Sequence, residues 1–131
     1  NLAPCFLLKW GNGPRDQFET EDFEVVLLAI CNPYKNVAFG CLELFNLRVV
    51  KADGSPVETL PDGTPTVMVV PGVRVDVCEV APCSCVYQEL VIKSCGALEG
   101  GYKLLFEYCI EEVKIVCTTG AAEFPIELWR S

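Results

Sequence analysis

Tyr102-Lys103-Leu104-Leu105-Phe106-Glu107-Tyr108-Cys109-Ile110 alternates two kinds of side chain. Tyr102, Leu104, Phe106, Tyr108 and Ile110 fall on one side, and Lys103, Leu105, Glu107 and Cys109 on the other. A period of two is that of a half-buried strand, because successive Cβ atoms of extended chain point to opposite faces. The period recurs on both sides of this stretch. Val73, Val75 and Val77 alternate with Arg74, Asp76 and Cys78. Phe23 to Cys31 is apolar on both faces and reads as a buried strand, and Leu42 to Lys51 as a second. Thr66 to Val70 is a short third. Val86 to Lys93 carries Val86, Leu90 and Ile92 on one face. Beyond a turn at Glu111-Glu112, Val113, Ile115 and Cys117 resume the pattern. Phe124, Ile126 and Leu128 then alternate with Pro125 and Glu127. Pro125 has no N–H for a ladder, which places this last strand at an edge or in an arm.

Turn residues separate these runs. They are Gly11-Asn12-Gly13-Pro14, Asn32-Pro33-Tyr34, Asp53-Gly54, Asp62-Gly63, Pro71-Gly72, Ala81-Pro82, Gly100-Gly101 and Gly120. No stretch of helical length carries a 3.6-residue period. Seven or eight short strands at this spacing predict an all-β fold: an antiparallel β-sandwich, immunoglobulin-like or jelly-roll. The 131 residues suit one domain. The expected division is a leader or arm over residues 1–20 and the sandwich over 21–131.

Composition narrows the function. Hydrophobic residues make up 51% and charged residues 21%, which excludes intrinsic disorder. Ten basic against eighteen acidic side chains leave a net charge of −8, with no basic cluster for phosphate contacts, so nucleic acid is not an expected partner. No apolar run reaches the length of a membrane helix, about 20 residues. Histidine is absent, and with it the commonest general base and metal ligand. There is no G-x-S-x-G elbow, and a cysteine nucleophile lacks its usual base. Glu111 and Glu112 do not converge as a carboxylate pair, since adjacent residues of extended chain point to opposite faces, and they read as a solvated turn. No catalytic residue and no enzyme activity is expected. Asp53-Gly54-Ser55 and Asp62-Gly63-Thr64 lack the alternating ligands of a calcium loop and read as turns.

Nine cysteines remain: Cys5, Cys31, Cys41, Cys78, Cys83, Cys85, Cys95, Cys109 and Cys117. No C-x-x-C pair is present, so disulfides are favoured over a metal centre, and neither metal nor cofactor is expected. Disulfides place the protein in an oxidising setting, outside the cell or on its surface. A chain that starts at Asn1, with no signal peptide in view, is what a processed secreted product or a trimmed chain presents. Nine is odd, so at least one sulfur is free or bonded to another molecule. The leading candidate is Cys5, in Asn1-Leu2-Ala3-Pro4-Cys5-Phe6-Leu7-Leu8-Lys9-Trp10. This leader is either an arm held by a neighbouring subunit or the first strand of its own domain. Cys41, Cys78 and Cys109 occupy strand positions with mixed companions. They are further candidates for bonds between subunits. Cys83 and Cys85 flank one residue and are expected to pin their corner to two different partners, with a vicinal redox or copper site as the alternative. Trp10 and Trp129, near the two ends, are expected to anchor arms or an interface.

Asn32-Pro33-Tyr34, Val69-Val70-Pro71-Gly72-Val73 and Gly101-Tyr102-Lys103-Leu104 resemble corners and strands of bacterial and archaeal surface β-sandwich modules of the CARDB and immunoglobulin-like kind, over about Phe23 to Cys117. A small cysteine-rich β-sandwich with a cysteine in a short leader also resembles, in its architecture, the subunits of bacterial endospore appendages. That resemblance implies a jelly-roll stacked into a fibre, with Cys5 as the connector residue that bonds to a neighbour. The leader here has one cysteine and not a doublet, and a long Gly13-to-Asp22 segment follows it. The reading is a self-assembling structural subunit of an extracellular filament or surface layer, pilus-like or appendage-like, joined by strand addition and disulfides. Its partner is a further copy of itself. The alternative is a monomeric secreted recognition, adhesion or virion decoration module that uses loops around Asp53, Asp62 and Gly100. No small-molecule ligand is indicated.

Overall fold

A computed structural model describes residues 2–10, 22–94, 101–111 and 115–124. Eight strands form: β1 (Cys5–Trp10), β2 (Asp22–Cys31), β3 (Leu42–Lys51), β4 (Val67–Val70), β5 (Arg74–Val77), β6 (Cys85–Ser94), β7 (Tyr102–Glu111) and β8 (Ile115–Glu123). They make two four-stranded antiparallel sheets, ordered β1-β2-β6-β4 and β5-β3-β7-β8. The protein is a β-sandwich. Reading β1, β2, β6 and β4 as strands A, B, E and D, and β3, β7 and β8 as C, F and G, reproduces the immunoglobulin strand order. The added strand β5 lies beside β3 but follows β4 in the chain.

The alternation read from Tyr102 to Ile110 is the burial pattern of β7. Leu104, Phe106, Tyr108 and Ile110 are buried, while Lys103, Leu105, Glu107 and Cys109 are only half-covered. Val26, Leu28 and Ile30 of β2 and Leu90 and Ile92 of β6 meet them from the other sheet. Each such side chain taken out of water contributes about 1.5–3 kcal/mol. In β3 the buried set changes phase, from Leu42 and Leu44 to Leu47 and Val49. A bulge between Phe45 and Arg48 absorbs the extra residue. Asn46 takes a left-handed φ of 55° there, which asparagine tolerates better than a branched residue. The bulged backbone is held by Asn46 N and Leu47 N, which donate to the carbonyls of Val73 and Gly72.

The leader follows the second of its two readings. Residues 5–10 pair with β2 of their own domain, from Cys5 opposite Cys31 to Trp10 opposite Val26. Phe6 explains the attachment: its ring packs edge-on against Phe106 at 4.8 Å and Tyr108 at 5.1 Å, across the sandwich. Gly120 is not a corner but lies inside β8, opposite Phe106. The expected strand over Phe124 to Leu128 has only Phe124 among the described residues. Phe124 is buried and its N–H donates to the Tyr102 carbonyl.

Both Asp-Gly pairs are turns. Gly54 and Gly63 have φ of 90° and 89°, values that need glycine. The Asp53 carboxylate accepts from Ser55 N at 2.9 Å and Ser55 Oγ at 2.6 Å, and Asp62 accepts from Thr64 N at 2.9 Å. The bond from the Ser55 hydroxyl, then that from its N–H, holds Asp53 below the usual carboxylate range. The Thr64 N–H does the same for Asp62.

Candidate functional site

Each described disulfide joins register neighbours within one sheet, on an outer surface. Cys31 of β2 bonds Cys85 of β6, Cys109 of β7 bonds Cys117 of β8, and Cys41 bonds Cys78 where β3 starts and β5 ends. In an antiparallel pair, directly opposed side chains project to the same face, so two outward cysteines in register meet with no change of backbone. This corrects the expectation for Cys41, Cys78 and Cys109. They do point outward, but their sulfurs are engaged inside the chain and are not available to a second subunit. Cys85 also has an internal partner. Cys83 does not, so the C-x-C corner is pinned by one disulfide where two were expected.

Two thiols among the described residues are free and exposed, Cys5 and Cys83. They belong to one corner of the sandwich. Asn32, next to Cys31, is 2% exposed and organises it. Its Nδ2 donates to the carbonyls of Val37 (2.6 Å) and Val80 (3.1 Å), and its Oδ1 accepts from Tyr34 N at 3.0 Å. Its backbone N–H donates to the Ser84 carbonyl at 2.8 Å, and Cys83 N donates to the Tyr34 carbonyl at 3.0 Å. The Tyr34 hydroxyl accepts from Ala3 N at 3.2 Å, which ties the start of the chain to the same place. A buried asparagine with its amide satisfied fixes geometry, because leaving those groups unpaired is costly. The thiol corner is thus a built feature.

Trp10 ends β1, and Trp129, Cys95 and Glu112 lie outside the described residues. The described residues hold no group of three or more Cys, Asp or Glu side chains able to hold a metal ion. No helix among them is long and apolar enough to cross a membrane. The pairing of the cysteines was hidden in the sequence because it depends on strand register, which periodicity does not supply.

A fold and corner of this kind define a disulfide-stapled β-sandwich with free surface thiols. Three disulfides fit a secreted or extracellular protein. No protein-family profile matches the chain, and no curated protein matches it at a significant level.

Proposed function

We propose that the protein is a non-catalytic structural subunit of an extracellular filament or surface assembly, in which copies of the chain add strands to one another and are joined by disulfides. The observation that carries this reading is the exposed free thiol of Cys5 on an edge strand. An exposed thiol in an oxidising setting finds a partner, and on an edge it is delivered wherever that edge docks. The sheet edges, to which no further strand is paired among the described residues, support the same reading. β4 and β5 have four residues each, the shortness by which proteins blunt an edge. β8 has nine residues and β1 six, enough for an added strand to gain main-chain hydrogen bonds. The outer face of β1-β2-β6-β4 supports it further, with Leu7, Phe23, Val70 and Tyr87 all more than half exposed. Apolar side chains gathered on one face favour contact with another surface.

The test is assembly itself. Concentrated chain held without reductant is expected to form particles or filaments seen by negative-stain electron microscopy and light scattering. Reductant with denaturant should return them to monomer. A monodisperse monomer at every concentration would overturn the proposal.

A second reading, a recognition module, is favoured by an apolar cleft of about 600 Å³ between β3 and β4. Leu47, Val49, Val57, Val67 and Val69 line it, and the loop with the Asp53 turn borders it at Gly54 and Pro56. A soluble monomer that binds a ligand there would replace the first reading.

A further inference from the structure

Cys5, Cys31 and Cys85 form one row across three adjacent strands. Cys5 is the register partner of Cys31 in the β1–β2 ladder, and Cys31 is the register partner of Cys85 in the β2–β6 ladder. All three side chains lie on the outer face, with Cys5 and Cys85 exposed and Cys31 half-buried between them. The hydrogen bond from Asn32 N to the Ser84 carbonyl shows that residue 32 turns its N–H toward β6. Main-chain groups alternate along a strand, so Cys31 turns its own N–H and C=O the other way, toward Cys5. Cys31 and Cys85 are therefore a close, non-hydrogen-bonded pair, with Cα atoms 4.0 Å apart. Cys5 and Cys31 form the hydrogen-bonded kind of pair, whose Cα spacing is about 5.5 Å. A disulfide usually spans about 4.4–6.8 Å, so Cys5 also lies within bonding reach of Cys31, beside the bond already made to Cys85.

We infer that this row is a thiol–disulfide exchange site, in which Cys5 displaces Cys85 from Cys31. Cys5 gives its proton to solvent and its thiolate attacks the Cys31 sulfur. The Cys5–Cys31 bond forms as the Cys31–Cys85 bond breaks, and the electron pair leaves on Cys85, which takes a proton from solvent. One disulfide and one thiol stand on each side, so no oxidant or reductant is consumed. Exchange at sulfur needs the attacking and leaving sulfurs on opposite sides of the central one. The row supplies that order, since Cys31 stands between the other two.

The two isomers differ in what they hold and what they present. With Cys31 bonded to Cys85, β1 is held by non-covalent contacts, among them its ladder, the packing of Phe6 and Leu8 and the Ala3–Tyr34 hydrogen bond just before it, and can peel away without breaking a covalent bond. With Cys31 bonded to Cys5, β1 is locked to β2. Cys85 then stands as a free thiol two residues from the free thiol of Cys83, a C-x-C dithiol on the surface. The inference rests on register and holds whether or not copies assemble.

The test uses the full chain as a dilute, gel-filtered monomer. It is held near the ordinary thiol pKa of about 8.5, without added reductant or oxidant, then quenched in acid, alkylated and mapped by mass spectrometry. A Cys5–Cys31 linked peptide is expected to appear as the Cys31–Cys85 peptide declines, with alkylated Cys85 rising in step. Its rate should fall as the solution is made more acidic, because the thiolate and not the thiol attacks. Cys5→Ser should abolish it and Cys83→Ser should leave it. Alkylating the exposed thiols of the folded wild-type chain beforehand gives the same block without a substitution. In a mixture of heavy-isotope and ordinary chains, both halves of the linked peptide should carry one label. Persistence of Cys31–Cys85 with Cys5 alkylated throughout, or Cys5 bonded to any other sulfur of its own chain, overturns the inference. Mixed label overturns it too, while supporting bonds between copies; the first result leaves the assembly reading standing.

Discussion

The outer face of the β1-β2-β6-β4 sheet and that of the β5-β3-β7-β8 sheet carry different chemistry on the same alternating backbone. The first presents Leu7, Phe23, Val70 and Tyr87, with Lys9 and Lys93 laid over the Tyr87 and Phe23 rings. The second presents Glu43, Arg48, Arg74, Asp76 and Glu107. There Arg48 pairs with Glu107, and Arg74 with both Glu43 and Asp76. Asp76, then Glu43, pushes the Arg74 guanidinium above its ordinary pKa. Phe45 and Ile115 are the exposed large apolar residues of its strands, among those described. Folding alone does not require this difference, because both sheets bury their inner faces in one core. The contrast teaches that one outer surface is tied together by ion pairs, whereas the other carries more of the exposed apolar side chains and the Cys5 thiol, the groups on which the proposed assembly would draw.

The staples give the largest effects. Replacing Cys31 and Cys85 together by alanine opens a loop closed across 54 residues. It should lower the unfolding free energy by about 4 kcal/mol in urea titrations. Removing Cys109 and Cys117 from the charged face opens one across only 8. The expected loss is about 2.5 kcal/mol. A reversed order would mean that local contacts, and not chain entropy, set the worth of each staple. Next comes the interior behind the charged face. A Cβ on Gly120 would stand 2.5 Å from Cε2 of Phe106, a ring fully buried in the core. Gly120→Ala should therefore cost about 1–3 kcal/mol, read as a lowered thermal midpoint.

The ion pairs of the charged face should matter less. Arg48 and Glu107 are each about a third exposed, and their closest N–O distance is 3.0 Å. A double-mutant cycle with Arg48→Ala and Glu107→Ala should return about 0.2–1 kcal/mol of coupling, falling as salt rises. The smallest effect is at the two Asp-Gly turns. Their carboxylates have folded pKa values below the ordinary 3.8. The stabilisation they give is complete above that ordinary value and is lost as pH falls through the lower folded values. Amide exchange at Ser55 N and Thr64 N should speed up in that acid window and not before it.

Much of the fold was legible because it rests on period. The alternation of β7, the runs of β2 and β3 and both Asp-Gly turns stand where side-chain pattern and turn chemistry placed them. β8 was cut short, since Gly120 reads as a corner and Ala121-Ala122 has weak strand preference. Gly120 stands there because Phe106 and Tyr108 fill the space that a Cβ would take. The outward placement of Cys41, Cys78 and Cys109 was visible, but their partners were not. Pairing across strands is settled by register, and register comes from long-range packing that one sequence does not display. The thiol corner was half legible. An odd cysteine count required a sulfur without an internal partner, and Cys5 was a candidate by its position. Its alignment with Cys31 depends on Phe6 drawing the leader into the core.

The most direct measurement of shared sulfur is denaturing electrophoresis without reductant on assembled protein. Wild-type chain should run as disulfide-linked dimers or larger species that reductant collapses to one band, and Cys5→Ser should lose the species linked through Cys5 while keeping its fold. A wild-type sample that enters the gel as a single monomer band, with or without reductant, would contradict the account.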